Sequence, residues 1–212
     1  MSIVAASTVA TMGKRATTRE TILDHAYELA RRDGLEGLSI GSLAQDVGMS
    51  KSGVFAHFGS REELQLAVLQ WVEKRFVDTI LVPALREPRG LPRLRAMVIR
   101  WQEWGRIHQS GCVLLTAVGE YDGREGPLRD AILKQQRGWR EQMQRAIGQA
   151  VEMKQLDADT EAEQFAFEIY ALMLGLHHDA GLFGFDEASK RTYAAFNRLL
   201  GSYQTTVEQS HG

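Results

Sequence analysis

Apolar and polar positions alternate along this chain at intervals of three and four residues, the period of an amphipathic helix rather than of a strand. Ile22, Leu23, Ala26, Leu29 and Ala30 form a first stripe and predict a helix from about Thr18 that stops at Gly34. Ser39 is placed to cap a short helix whose inner face is Ile40, Leu43, Ala44 and Val47, and Gly48 suits its end. Ser50 offers an oxygen to a second short helix, Lys51 to Phe58. Val54, Phe55 and Phe58 supply its apolar bulk, while Lys51, Ser52, Gly53, Ala56 and His57 leave a slim polar face. Ser60 with Glu63 three positions on has capping-box spacing. The helix it opens carries Leu64, Ala67, Val68, Trp71, Val72, Phe76 and Ile80, and is expected to stop before or at Pro83.

The remainder is helical by the same criterion. Pro92 opens a helix with Leu94, Met97, Val98 and Trp101 inward, closed by a loop around Ser110 and Gly111. Residues 113–118 form a brief apolar helix, 121–126 a loop, and Pro127 the start of a long helix carrying Leu128, Ile132, Trp139, Met143, Ile147 and Val151. A further helix starts at Asp159 or Thr160. It has Phe165, Ile169, Leu172, Met173 and Leu176 on one side and Phe167, Tyr170, Ala171 and Leu174 on another, so it is apolar nearly all round. Burial against both its own body and a second copy accounts for that pattern; completion of a monomeric core is the alternative. The last helix runs from about Asp186 toward Thr205, with Ala188, Ala195, Phe196, Leu199 and Leu200 on its apolar side. The fold class is all-α, with no repeat and no low-complexity segment.

Two short capped helices joined by a tight turn can place the second in a DNA major groove. The residues SKSGVFAHFGSREEL, from Ser50 to Leu64, resemble the recognition-helix signature of the TetR family of bacterial regulators, including the aromatic Phe55, the pair His57–Phe58 and the basic Arg61. The resemblance is strong in the amino-terminal third and weak beyond it. Phe55 stands where many members carry tyrosine, and Arg61 where lysine is more usual.

The resemblance implies an N-terminal three-helix helix-turn-helix DNA-binding domain at 17–63, behind a tail at 1–16. It also implies a larger helical effector-binding and dimerisation domain at 64–212. The implied function is that of a ligand-responsive repressor: a homodimer on a pseudo-palindromic operator of double-stranded DNA, released by a small apolar or aromatic effector, with the last two helices forming the dimer interface. Control by a protein partner or by oxidation of Cys112 is the alternative. In this reading Lys51, His57 and Arg61 hold phosphates. Ser52, Gly53 and Val54 lie within reach of base edges, Phe55 joins them on the reader, and Thr18 and Ser39 add anchors at helix starts.

A formal charge of −2 over 212 residues, with a pI of about 6.3, excludes a globally basic nucleic-acid binder. Phosphate affinity must come from locally placed cations: Lys14, Arg15 and Arg19 near the first helix, and Lys51, His57 and Arg61 at the reader. The tail reads as a plain leader or as an arm touching the minor groove. A single cysteine, Cys112, excludes an internal disulfide and fits a reducing compartment. No apolar run is long enough to span a bilayer, no secretory pattern opens the chain, and a cytoplasmic location is expected.

Catalytic and metal chemistry find little footing, and neither an enzyme nor a cofactor is expected. His177, His178 and Asp179 are adjacent, so on a helix they point about 100° apart and cannot easily share an ion; Glu168 is too far around to complete a site. His108 and Cys112 are separated by Gly111, which interrupts a helix between them. Cys112 is either a buried small hydrophobe or, if exposed with a lowered pKa, an oxidant sensor. Met97, Trp101, Trp104, Trp139, Met143, Phe165, Tyr170 and Met173 are candidates to wall an effector pocket, although the same residue types fill cores. Glu120, Gln164 and His177 are candidate polar selectors within it.

Overall fold

A computed structural model describes residues 3–108 and 111–204, with side chains from Arg19 onward. The backbone of the first helix begins at Ile3, ahead of the expected start near Thr18, while the contacts expected of the tail at 1–16 and of Thr18 fall outside the described side chains. In chain order the elements are α1 (Ile3–Gly37), α2 (Ile40–Asp46), α3 (Lys51–Phe58), α4 (Arg61–Phe76), a π-helical turn (Val77–Leu81), α5 (Val82–Ala84), α6 (Leu91–Ile107), α7 (Val113–Tyr121), α8 (Pro127–Glu152), α9 (Ala162–Phe183) and α10 (Phe185–Ser202). The fold is all-α, and no strand occurs among the described residues. None of the described helices is long and apolar enough to cross a membrane.

The chain divides into two compact units, Met1–Glu73 with Val113–Ile132, and Lys74–Cys112 with Leu133–Gly212. In the first, the predicted inner stripe of α1, from Ile22 to Ala30, is buried together with Leu35, Leu38, Leu43, Ala44, Val54, Phe58, Leu64 and Val68. The helix breaks where glycine permits it: Gly34 has φ 77 and ψ 165, a region that residues with a Cβ essentially avoid. In the second unit α9 and α10 pack on each other, and Phe165, Ile169, Met173 and Leu176 of α9 and Ala188, Phe196 and Leu200 of α10 are buried.

Several boundaries differ from the sequence reading for local reasons. The helix opened at Ser60 does not simply stop at Pro83. It widens into the π turn, where Val82 N donates to Val77 O, and then runs on through Pro83 until Leu85 N bonds Leu81 O at 2.9 Å. Proline has no N–H for the regular ladder, and a locally widened turn accommodates its ring. The capping box at Ser60 is half made: Ser60 Oγ accepts from Glu63 N at 3.0 Å, but Ser60 N donates to Phe58 O at 2.8 Å. A reciprocal box forms two helices earlier, where Ser39 Oγ accepts from Ser42 N and Ser42 Oγ accepts from Ser39 N, at 3.1 and 3.2 Å. Helix α7 extends three residues beyond Val118, which brings Glu120 onto the helix and takes Tyr121 out of the expected loop. Helix α9 starts at Ala162, after the expected Asp159 or Thr160.

Candidate nucleic-acid interface

Helix α3 is built to present one face and bury the other. Ser50, extended at φ −70 and ψ 151, turns its Oγ to Gly53 N at 3.1 Å and so caps the helix start. Val54 is wholly buried and Phe58 nearly so, while Lys51, Ser52, Phe55 and Ala56 are exposed and Gly53 and His57 are half-buried. This corrects one expectation: Val54 does not reach a base edge, because it is the anchor of α3 in the core. Phe55, read both as apolar bulk of this helix and as a reader residue, is 54% exposed on the outer face. The aromatic residue one position on from the anchor points about 100° away from it, which a reading of apolar bulk alone does not resolve.

The glycines here serve close approach. A side-chain carbon at Gly53 would lie 3.2 Å from Met49 Cε and 3.3 Å from Ser50 Oγ, a tight fit in which those side-chain ends would have to shift by a few tenths of an ångström. A carbon at Gly41 would meet Lys51 Cε at 3.3 Å, showing that the Lys51 stem lies across α2. Cations gather around the reader. The Arg19 guanidinium stands 5.1 Å from the centre of the Phe58 ring, a cation–π contact absent from the sequence reading. His25 Nδ1 is 2.8 Å from Asp46 Oδ2 at the end of α2.

Arg61 is held from within the same unit. Its Nε donates to Leu38 O at 2.9 Å, its Nη2 donates to Glu36 O, and Nη2 lies 3.4 Å from Glu36 Oε1. The backbone oxygen at Leu38 immediately precedes the α2 cap Ser39, so Arg61 ties the start of α4 to the entry of the reader. The same short segment is gripped by α7. Glu120 accepts from Leu35 N at 3.2 Å and from Glu36 N at 2.8 Å. Tyr121 donates its hydroxyl proton to Glu36 Oε2 at 2.8 Å, and Arg124 Nη1 is 3.0 Å from the same oxygen. The Tyr121 bond, with the charges of Arg124 and Arg61, holds the Glu36 carboxyl below its usual value. Burial and the bond to Glu36 push the Tyr121 hydroxyl well above the usual phenol value. Glu120 is therefore occupied as a helix-end clamp, which answers its candidacy as an effector selector.

Within the second unit, Phe76 at the end of α4 sits at the centre of an aromatic cluster. Its ring is 4.9 Å from Trp139, 5.5 Å from Trp104 and 6.2 Å from Trp101, each edge-on at 79 to 87°. Trp101 also packs on Trp139 at 5.3 Å and on Tyr170 at 5.5 Å. Four of the eight candidate pocket residues are thus brought together, around a phenylalanine the pocket reading had not included. Met97, Met143 and Met173 are buried in the same unit. Phe165 is occupied elsewhere, stacked on Tyr203 at 4.2 Å. Arg140 covers Tyr170 at 3.8 Å, and Tyr170 donates to Gln136 Oε1 at 2.6 Å. Gln164 is exposed and bonds Glu168, while burial lowers the affinity of half-buried His177 for a proton. Cys112 is buried. His178 pairs with its neighbour Asp179 at 3.0 Å, and the described residues hold no group of three potential metal ligands.

These features define a helix-turn-helix protein with a separate helical body. Two family models match the chain: bacterial regulatory proteins of the tetR family over residues 22–68, and the tetracyclin repressor-like C-terminal domain over residues 90–196. The chain belongs to the TetR family of DNA-binding transcriptional regulators. The HTH-type transcriptional repressor AcnR of Corynebacterium efficiens is 33% identical over 72 residues, 34% of this chain and 38% of that protein, so the match spans well under half of the relative. A TetR-family regulator from Streptomyces coelicolor superimposes with a TM-score of 0.78 at 18% identity, over 91% of this chain and 97% of its own. AibR, solved with isovaleryl coenzyme A and operator DNA, superimposes with a TM-score of 0.68 at 20% identity, over 83% and 96% of the two chains.

Proposed function

We propose that this protein is a ligand-responsive repressor that binds a pseudo-palindromic operator as a homodimer and leaves it when a small molecule occupies the helical body. The observation that carries the reading is α3: capped by Ser50, locked by buried Val54 and Phe58, and exposing Lys51, Ser52 and Phe55 on one face. Lys51 and His57 contact phosphates, Ser52 and Phe55 meet base edges and sugars, and Gly53 lets the helix start come close. Ser39 offers the amino end of α2 to a phosphate. Arg61 is chiefly a positioning residue, with its remaining Nη1 available to a phosphate. Residues 17–63 read DNA, and 64–212 pair and sense.

Pairing is supported by α9 and α10, which leave Phe167, Leu174 and Tyr193 exposed beside small residues at Ala171, Gly175 and Ala194. Such apolar faces on two adjacent helices suit a second copy, and a two-fold dimer sets its readers one helical turn apart, ~34 Å. Signalling is supported by α4, which begins at Arg61 in the reader and ends at Phe76 in the aromatic cluster. The repressor name of AcnR and the operator complex of AibR agree with this reading. Selection of bound sequences from random DNA, followed by screening of metabolites for release, tests it. A pseudo-palindrome released by a small molecule is expected; a non-repeated site, or binding that no metabolite alters, would refute it.

A further inference from the structure

Two polar groups at the aromatic cluster stand out. Trp104 and Trp139 are at least 95% buried, and the Nε1–H of each has no hydrogen-bond partner among the described residues. Both indoles pack nearly perpendicular to Phe76, with ring centres 5.5 and 4.9 Å from its own. A buried N–H without an acceptor costs free energy, so both donors gain from an oxygen partner.

Arg140, on the Tyr170 ring that packs on Trp101, has the same need of an acceptor. The described partners of Arg140 are Gln136, through its main-chain oxygen at 3.4 Å and Oε1 at 3.2 Å, and the Tyr170 ring. No carboxylate pairs with Arg140 among the described residues, and no aspartate or glutamate is among the buried ones. The Gln136 Oε1 acceptor is already used by Tyr170 and Arg140. Aromatic cages commonly receive cations. Here the π face of Tyr170 already carries a guanidinium, which would repel a second positive charge.

We infer that the effector is an apolar molecule ending in a carboxylate, or less tightly in a neutral carbonyl, with its oxygens received by Trp104 Nε1, Trp139 Nε1 and Arg140. This rests on the reading of the body as an effector site and adds the chemical class. An amine or a plain hydrocarbon leaves the donors unmet, and an amine also meets Arg140.

The test uses the full chain with its tryptophan indoles labelled with nitrogen-15, and probes sharing one apolar body: 4-butylbenzoate, 4-butylacetophenone, butylbenzene and 4-butylbenzylamine. A second set on a straight ten-carbon chain, decanoate, decan-2-one and decylamine, covers a narrow site. Calorimetry is expected to give the carboxylate an affinity about tenfold or more above the hydrocarbon and the amine, with the ketone between. The indole signals of Trp104 and Trp139, assigned with Trp104→Phe and Trp139→Phe, move downfield as they gain an oxygen acceptor. Arg140→Gln brings the carboxylate down to the level of the ketone, whereas Arg140→Lys retains part of the preference. An amine or hydrocarbon that binds as tightly, stationary indole signals, or no binding in either set at millimolar concentration overturns the inference. Operator release is scored separately. A selective carboxylate that never releases DNA removes ligand control and leaves the chemical class standing, while an amine that releases DNA does the reverse.

Discussion

Gly34 shows how much one residue can decide. It breaks α1 at φ 77, and the space its missing side chain leaves is filled by the Glu120 carboxylate, which caps Leu35 N and Glu36 N. Gly34→Ala adds an unfavourable backbone conformation to a clash with Glu120 Oε1. A loss of roughly 2 kcal/mol or more is expected, read as a fall of ~4–8 °C in the thermal midpoint. Glu36 carries a pH signature. Its folded pKa lies below its ordinary value of 4.5, so its contribution to stability is present above that pH and fades as pH falls through the folded value. Acid titration of thermal stability should show that loss, and Glu36→Gln should flatten it; an unchanged acid limb would remove the Tyr121–Glu36–Arg124 linkage from the account.

At the scale of elements, Lys51 and Arg61 part company. Both were expected to grip phosphate, but Lys51 is exposed on α3 while Arg61 spends three contacts on Leu38 and Glu36. Lys51→Ala should weaken binding similarly across sequences and reduce the salt slope by about 1. Arg61→Ala should weaken binding with a smaller change in slope, and should also lower stability, because it frees the entry to α2. Equal slope changes with unchanged stability would return Arg61 to the phosphate role. Caps at Ser39 and Ser50 were legible because each bond spans only three residues. The division of labour between Val54 and Phe55 was not: both are apolar, and only the packing of α3 decides which is buried. The grip of Glu120 on the end of α1 was hidden for a similar reason, since its partners lie 84 and 85 residues away.

For the whole molecule, the decisive surface is the exposed side of α9 and α10. Leu174→Asp together with Phe167→Asp places two charges on a face proposed to meet its own copy. Sedimentation at micromolar concentration should then show monomer where the unmodified chain shows dimer, and operator affinity should fall by orders of magnitude while the helical circular dichroism remains. A wild-type chain that sediments as monomer would end the dimer reading.

By itself the sequence determined what is local: an all-helical chain, where most helices begin, and a reader whose caps and apolar stripe are written within fifteen residues. Those properties follow from backbone hydrogen bonds and from periodicity, which act over a few positions. The tertiary structure alone decided which equivalent-looking residues do which work. It spent Arg61 and Glu120 on holding the reader, turned Phe55 outward, and gathered Phe76, Trp101, Trp104, Trp139 and Tyr170 into one cluster with unmet donors. Burial and pairing depend on neighbours brought from distant parts of the chain, and no stripe or motif records who those neighbours are.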